Sequence, residues 1–563
     1  MSNLGGKVKL WYNIFMQDIR EQVKTAIKKV FDIDLEPEVA PAPENIGADY
    51  SSNAPLKLAG VLHKAPMEIA KELEAVLEGA SVSNPGFLNF NLPDDYLEKE
   101  IDVLADGFDE KVSSNNYNNQ TVICEFSDPN PFKVLHVGHL YTSIMGDAIS
   151  RLYENAGARV IRANFGGDVG LHVAKTMYIL MQKDPETLTI DDIGKCYVEG
   201  TAAYEDDEDA HAKITELNKE IYKINAEDIH GTALADLYWK GRELSYQYFN
   251  DFYASIGVKF DKYYPESTVA GLGLEIVKRE LENGVYEKSN GAVIFDGDKY
   301  GLHTRVFINQ EGVPTYEAKD VGLIFQKDAD YHFDKSVVIT GSEQLEYMKV
   351  VLASISKYAP ELVEKTTHLT HGMVRLPGNA KMSSRLGNFL KAVDVLEAVD
   401  KALESEYNSK DTKVALGATK YALLKYKIGG NIVFDPEESV SMTGNSGPYL
   451  QYSAVRAAKI IGNLLQNGVT NASGKWELTE RERELIKKIV AYPEELKSVI
   501  RELAPNKLCN YLYELAQEFS RFYETTKVAG SDFEFERGQI VLAYLKVLTH
   551  GLLLLGIEVP ERM

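Results

Sequence analysis

The stretch TVICEF (121–126), together with the segments immediately downstream of it, constrains this chain most. Six residues rich in β-branched and apolar types read as a short buried strand. A loop runs from Ser127 to His139, and Leu140–Asn155 then places Ile144, Ala148 and Leu152 at helical spacing. RVIRANF (159–165) reads as a second strand. A strand–loop–helix–strand unit of this size predicts the first half of a nucleotide-binding parallel sheet, where ligands gather beyond the strand C-termini. A second such region comes later: SVVIT (336–340), a helix over Leu345–Tyr358, HGMVRL (371–376) and a loop at Asn379–Asn388. Residues 175–290, between the two halves, are largely helical and acidic and read as an insertion.

The flanks differ from this middle. Asp18–Ile33 carries Ile19, Val23, Ile27 and Val30 at helical spacing, EPEVAPAPEN (36–45) breaks the chain, Leu56–Leu77 reads as helix, and Phe87–Leu92 alternates like a strand. The polar run SSNNYNNQ (113–120) marks a boundary, and from about 411 onward helix follows helix. With 563 residues, too many for one core, the expectation is an α/β protein of three domains. These are an N-terminal α+β domain at 1–112, a Rossmann-type parallel-sheet catalytic domain with a helical insertion at 113–405, and an all-α domain at 406–563.

The net charge of −23 argues against indiscriminate nucleic-acid binding, but the acid is unevenly spread. Residues 411–563 hold 19 Lys/Arg and 19 Asp/Glu, so a local basic face and an RNA partner stay open there. The three cysteines (Cys124, Cys196, Cys509) lie far apart, without the spacing of a disulfide framework or a zinc site. The most apolar run, Ile540–Leu555, is broken by Lys546 and His550, and the first residues do not read as a signal peptide. A cytoplasmic protein with no membrane association is expected.

Two short segments carry chemistry. His136-Val137-Gly138-His139 lies before a helix start, where two imidazoles flanking a glycine suit phosphate recognition. Alone, the segment reads equally as two surface histidines at a helix cap, and as a zinc site it is incomplete. Lys381-Met382-Ser383-Ser384-Arg385 presents cations that could close on a triphosphate, and alone it reads as a solvated basic turn. Each segment follows a strand, one in each half of the expected sheet.

Together these segments resemble the two signatures of class I aminoacyl-tRNA synthetases, and their surroundings resemble the arginyl-tRNA synthetase family. The resemblance runs in order along the whole chain. Its carriers are Asn84–Phe90 (NPGFLNF), Glu125–Asn130 (EFSDPN) with Lys133, Asn164–Gly170 (NFGGDVG), Thr315–Asp320 (TYEAKD), Gly444–Tyr452 (GNSGPYLQY) and the ending Pro560–Met563 (PERM). The chain departs at Val169, where Trp is usual, and at Leu171-His172, where Thr-Gln is usual. It departs again at Ser384, where many class I enzymes have a second lysine.

The resemblance implies ATP-dependent activation of L-arginine to arginyl-adenylate, then transfer to the 3′-terminal adenosine of tRNA(Arg). It implies ATP contacts from His136, Gly138, His139, Lys381, Met382 and Ser383, with Mg²⁺ held through the phosphates and not by a protein cage. Lys133 is implied to take the part of the missing second lysine, so His136, His139, Lys133 and Lys381 form the catalytic set. Glu125, Tyr316 and Asp320 are implied around the guanidinium, Asn130 and Gln344 at the α-amino group, and His136 near the carboxylate. The N-terminal domain would bind tRNA, and Tyr449, Tyr452, Arg456 and Met563 would contact anticodon bases. A monomer is expected. Read as ordinary structure, Asp320 is a helix N-cap before Val321, and tyrosines at helical spacing are core. A glutamine, glutamate or lysine enzyme of the same class is disfavoured by the C-terminal helical domain and the acidic pocket. A non-catalytic paralogue is disfavoured by intact His136, His139, Lys381 and Asp320.

Overall fold

The computed structural model describes residues 11–43, 46–113, 115–183, 187–378, 390–469 and 476–563, without the side chains of 11–18 and 41. Lys381, Met382, Ser383, Ser384 and Arg385 lie outside the described residues. The chain divides into two compact units: residues 1–111 with 474–490, and residues 112–473 with 491–563.

In the first unit, strands β1 (Val39–Pro41), β2 (Tyr50–Ser52), β3 (Ala80–Ser83) and β4 (Phe87–Phe90) form an antiparallel sheet in the order β1-β2-β4-β3. The expected single helix over Leu56–Leu77 is two, Ala54–Leu62 and Pro66–Glu74. His63 ends the first in the left-handed region (φ 52°), and Pro66, which cannot continue a helix from within, opens the second. A helix from far along the chain, Glu480–Val490, belongs to this unit, although sequence alone groups it with the C-terminal helices. Its Arg483 and Lys487 reach the Asp49 carboxylate at 2.7 and 2.9 Å, and Asp49 also accepts from the Leu92 N–H at 2.6 Å. The Asp49 side chain is only 4% exposed, so these cations are what permit its charge there.

The second unit is built on a five-stranded, all-parallel sheet in the order β12-β11-β5-β6-β7. Its strands are β5 (Thr121–Glu125), β6 (Arg159–Gly166), β7 (Lys262–Pro265), β11 (Lys335–Gly341) and β12 (Thr366–His371). From β5 the chain steps outward to β6 and β7, then returns to place β11 on the other side of β5. The reversal makes a crevice beyond the C-terminal ends of β5 and β11, the place where such sheets bind ligands. A small antiparallel sheet of β8 (Glu287–Ser289), β9 (Ala292–Phe295) and β10 (Arg305–Ile308) packs into the same core.

Three expectations change here. The last strand is 366–371 and not 371–376; its TTHLTH is half exposed at a sheet edge and so carries no hydrophobic run. The insertion is shorter than 175–290, because Lys262–Pro265 is itself a sheet strand. Its helices Ile190–Asp206, Glu208–Ala226 and Ala233–Ser255 pack with Leu171–Leu180 around a separate core containing Val173, Ile193, Ile214 and Tyr238. Asp320 is no N-cap, for Thr315 holds the N-cap position of helix Tyr316–Tyr331 and Asp320 lies one turn inside it. Downstream, helices Thr412–Leu424, Gly447–Gln466, Tyr492–Glu502, Pro505–Thr525 and Glu534–Leu554 complete the unit.

Candidate active site

The helix after β5, Val137–Asn155, begins at His136, so His139 stands in its first turn and not in the preceding loop. The His136 Nδ1 accepts from the Gly138 N–H at 3.1 Å, and the His139 Nδ1 accepts from the His136 N–H at 3.1 Å. The two rings stack 3.8 Å apart. Burial, with His371 and Lys133 nearby, pushes His136 down to about 4, and burial holds His139 well below its usual value. Both imidazoles are therefore neutral near pH 7, with each proton on Nε2. The cap reading and the phosphate reading are thus compatible: Nδ1 satisfies the helix end while Nε2–H remains a donor. A Cβ at Gly138 would lie 2.8 Å from His136 Cε1, so a side chain there would displace the ring.

His371, the last residue of β12, joins the pair, with Cε1 3.8 Å from that same Cβ position and Nδ1 donating to the Gly372 carbonyl at 2.6 Å. Sequence reading missed it; its position at the C-terminal end of a parallel strand is the mark that distinguishes it. Lys133 is half-buried, with Nζ 4.5 Å over the Tyr197 ring of the insertion. Its charge bears on His136, His139 and His172 alike.

The Lys133 charge bears also on Glu266, in an acidic cluster. Helices Glu266–Glu282 and Tyr316–Tyr331 cross so closely that a Cβ at Gly273 would lie 1.9 Å from the Ala318 carbonyl oxygen. The approach lets Lys319 bind Glu266 at 2.6 Å, both buried. Asp320, buried beside them, accepts a hydrogen bond from the Tyr347 hydroxyl. Burial, reinforced by Glu125 and Glu266, pushes its carboxyl up to about 8 despite that bond. Asp128 is likewise raised well above the carboxylate range by burial and Glu125. Glu125 ends β5, but its Oε2 is bound at 2.6 Å by Lys327, a fully buried lysine that also donates to Ser336 at 3.1 Å. A guanidinium would therefore meet Glu125 as half of an existing ion pair.

Asn130 accepts from the Gly167 N–H at 2.7 Å. Tyr316, first in its helix, is 54% exposed, with Lys319 Nζ 5.0 Å from its ring centroid. Gln344 is exposed in the 3₁₀ turn Ser342–Gln344, as is Glu343 beside it. The departure at His172 is buried: its Nε2 donates to the Gly167 carbonyl at 2.7 Å and its Nδ1 has no partner. Val169 is core to the insertion. Asp168 binds the Ser267 N–H and hydroxyl at 3.0 and 2.8 Å and Arg242 at 3.0 Å, tying the insertion to the sheet.

In the C-terminal helices, Ser446 caps Gly447–Gln466. Gln451 donates to the Lys413 and Glu558 carbonyls at 2.9 and 2.7 Å, which gives GPYLQY a packing role. Tyr449 is half-buried against Tyr513 with its hydroxyl 3.3 Å from Ser520, whereas Tyr452 is exposed. Arg456 lies 3.7 Å over the Tyr523 ring, and Met563 is exposed.

Residues 102–435 match the family described as tRNA synthetases class I (R), catalytic domain. Residues 450–563 match the DALR anticodon binding domain, and 17–92 the arginyl tRNA synthetase N terminal domain. An arginine–tRNA ligase of Borreliella afzelii is 30% identical over 530 residues, 88% of this chain and 89% of that one. One from Flavobacterium psychrophilum is 29% identical over 85% of each chain. The fold is similar to that of Thermus thermophilus arginyl-tRNA synthetase (TM-score 0.76, 24% identity, 97% of this chain and 100% of that chain). It is also similar to the Plasmodium falciparum arginyl-tRNA synthetase (TM-score 0.74, 20% identity, 98% and 99% covered).

Proposed function

Since the chain belongs to the arginyl-tRNA synthetase family, we propose how its own residues divide the work of that reaction. The enzyme is an aminoacyl-tRNA ligase: it activates L-arginine with ATP to arginyl-adenylate and transfers the arginyl group to the 3′-terminal adenosine of tRNA(Arg). The observation that carries the proposal is the presence, in one unit and within reach of the Lys133 charge, of two clusters. One is a pair of neutral histidines at a helix start, and the other is a buried acidic corner around Asp320.

In the first step the arginine carboxylate attacks the α-phosphorus of ATP and pyrophosphate leaves. We assign the His136 and His139 Nε2–H groups to the phosphate oxygens, where neutral donors favour charge that develops in the transition state. Gly138 lets the phosphate approach the backbone. Lys133 supplies the fixed cation on this side, and Lys381 with Met382 and Ser383 supplies contacts from the other. Mg²⁺ would be carried by the phosphates and water, and would aid departure of pyrophosphate. Asp320 is the principal guanidinium partner, assisted by Glu125 through its Lys327 pair and by Tyr316 at the entrance. Asn130 and Gln344 are assigned to the α-amino group, and His136 to the carboxylate.

We further assign residues 1–112 to tRNA binding, 113–405 to catalysis and 406–563 to the anticodon, with the Glu480–Val490 helix as a structural part of the first. Tyr452, Arg456 stacked on Tyr523, and Met563 offer exposed contacts to anticodon bases; Tyr449 supports them from a half-buried position. A monomer acting in the cytoplasm fits this reading; among the described residues no helix is long and apolar enough to cross a membrane. Charging of total tRNA across the twenty amino acids tests the proposal. Arginine alone should be incorporated, and stable incorporation of any other amino acid would overturn it.

A further inference from the structure

The insertion carries a second aromatic site. Trp239, Arg242 and Tyr246 stand three and four residues apart on helix Ala233–Ser255, hence on one face. The Arg242 guanidinium lies 5.6 Å from the Trp239 ring and 5.0 Å from the Tyr246 ring. His230 stacks on Trp239 with 5.3 Å between centroids and 22° between planes. With Glu243 at the rim, these side chains line a concavity of about 420 Å³, large enough for one heterocycle and its sugar. Arg242 is held from behind by Asp168, at 3.0 Å. Asp168 in turn holds Ser267, whose neighbour Glu266 has its Oε1 3.0 Å from where a Cβ on Gly167 would stand, next to Asn130. Asp168, Ser267 and Glu266 thus connect this pocket to the surroundings of Asn130.

We propose that the pocket takes an unpaired, amino-bearing nucleobase from the 3′ end of the tRNA, stacked against Trp239 and Tyr246; this rests on the functional reading above. Ring faces and a guanidinium in a row are a stacking platform for single-stranded nucleic acid. Among the lining residues Arg242 is the one permanent cation, and Asp168 already neutralises it, so the ligand is held by its base and not by its phosphates. Glu243 is exposed and only accepts, which favours an exocyclic amine, as on cytosine or adenine, over a carbonyl. The tRNA end that must reach the adenylate beside Asn130 is single-stranded, and Asp168, Ser267 and Glu266 connect that position to the pocket.

The test compares affinity for intact tRNA(Arg) transcript with affinity for the same transcript lacking its last three nucleotides. Trp239→Leu should weaken binding of intact transcript roughly 5- to 150-fold, the scale of losing one base stack. It should leave the truncated transcript within twofold of wild type, and the KM values for arginine and ATP likewise. Trp239→Phe, which keeps a ring, should recover most of the loss. If Trp239→Leu fails to fold, His230→Ala, at an exposed residue, is read in the same way with a smaller loss. Equal weakening toward both transcripts, or none toward either, would overturn the assignment while leaving the functional reading standing. A wild-type enzyme that charges no tRNA with arginine would overturn both.

Discussion

The Tyr347 hydroxyl donates to the Asp320 carboxylate, linking the first turn of helix Leu345–Ile355 to the interior of helix Tyr316–Tyr331. The bond orients a buried acid that forms no ion pair among the described residues, and it leaves the other carboxylate oxygen for a substrate cation. The acid is raised to about 8 by burial in spite of that bond.

Asp320→Asn keeps the shape and removes the acceptor charge, so arginine use should weaken by roughly 2–5 kcal/mol. The loss should fall on the KM for arginine, with that for ATP little changed. Equal weakening toward both substrates would make Asp320 a structural residue.

Arginine binding should release a proton from the site. Binding a guanidinium favours the ionised carboxylate, so affinity should rise with pH and level off above about 8. The stability linkage runs the other way. The unfolded carboxyl ionises near 3.8 and the folded one near 8, so the contribution of Asp320 to stability falls as pH rises between these values. Calorimetric titration of arginine at pH 7 in buffers of different ionisation enthalpy measures the released proton. Identical heats in all buffers would show that Asp320 is already charged.

Lys133→Ala should slow adenylate formation by about 10²–10³-fold, the scale of losing one well-placed donor, with arginine binding in the absence of ATP unchanged. Adding Ser384→Lys should restore part of the rate. A single-turnover rate within a few-fold of wild type would reduce Lys133 to a partner of Tyr197.

Lys327→Met removes the ammonium that the buried Glu125 carboxylate needs, and unfolding should become easier by about 3–5 kcal/mol. Denaturant melts of the variant alone and with Glu125→Gln separate the cases. The double variant should be the more stable of the two, and an additive loss would show that the pair is not coupled.

Deleting Glu561–Met563 should raise the KM for tRNA with little change in melting temperature, because all three residues are exposed. A large fall in melting temperature with unchanged charging would give the tail a packing role only.

The parallel sheet was legible because β5 buries both faces and appears as a short apolar run, followed one helix later by the β-branched Val160 and Ile161 of β6. The edge strand β12 was not, since half-exposed Thr and His residues carry no such run. His136 and His139 stood out by local spacing, whereas Asp320 entered only through the family resemblance and alone reads as an N-cap. The partners that set their chemistry did not: Tyr347 lies 27 residues from Asp320, and Lys327 lies 202 from Glu125. Such pairings follow from how helices cross on the sheet, which no short window of sequence contains. The grouping of Glu480–Val490 with the N-terminal residues was hidden for the same reason, since its apolar face serves a helical bundle and a mixed domain equally well.

That grouping has a consequence for synthesis. Arg483 lies 434 residues after Asp49, so a ribosome must make most of the chain before the carboxylate can meet its guanidinium. At ordinary elongation rates the wait is roughly 20–90 s. During that time the N-terminal sheet exists with the Asp49 carboxylate unneutralised and without the Glu480–Val490 helix. A fragment ending at residue 111 would remain in that condition permanently. The first unit is finished only after residues 112–473 of the second have been made.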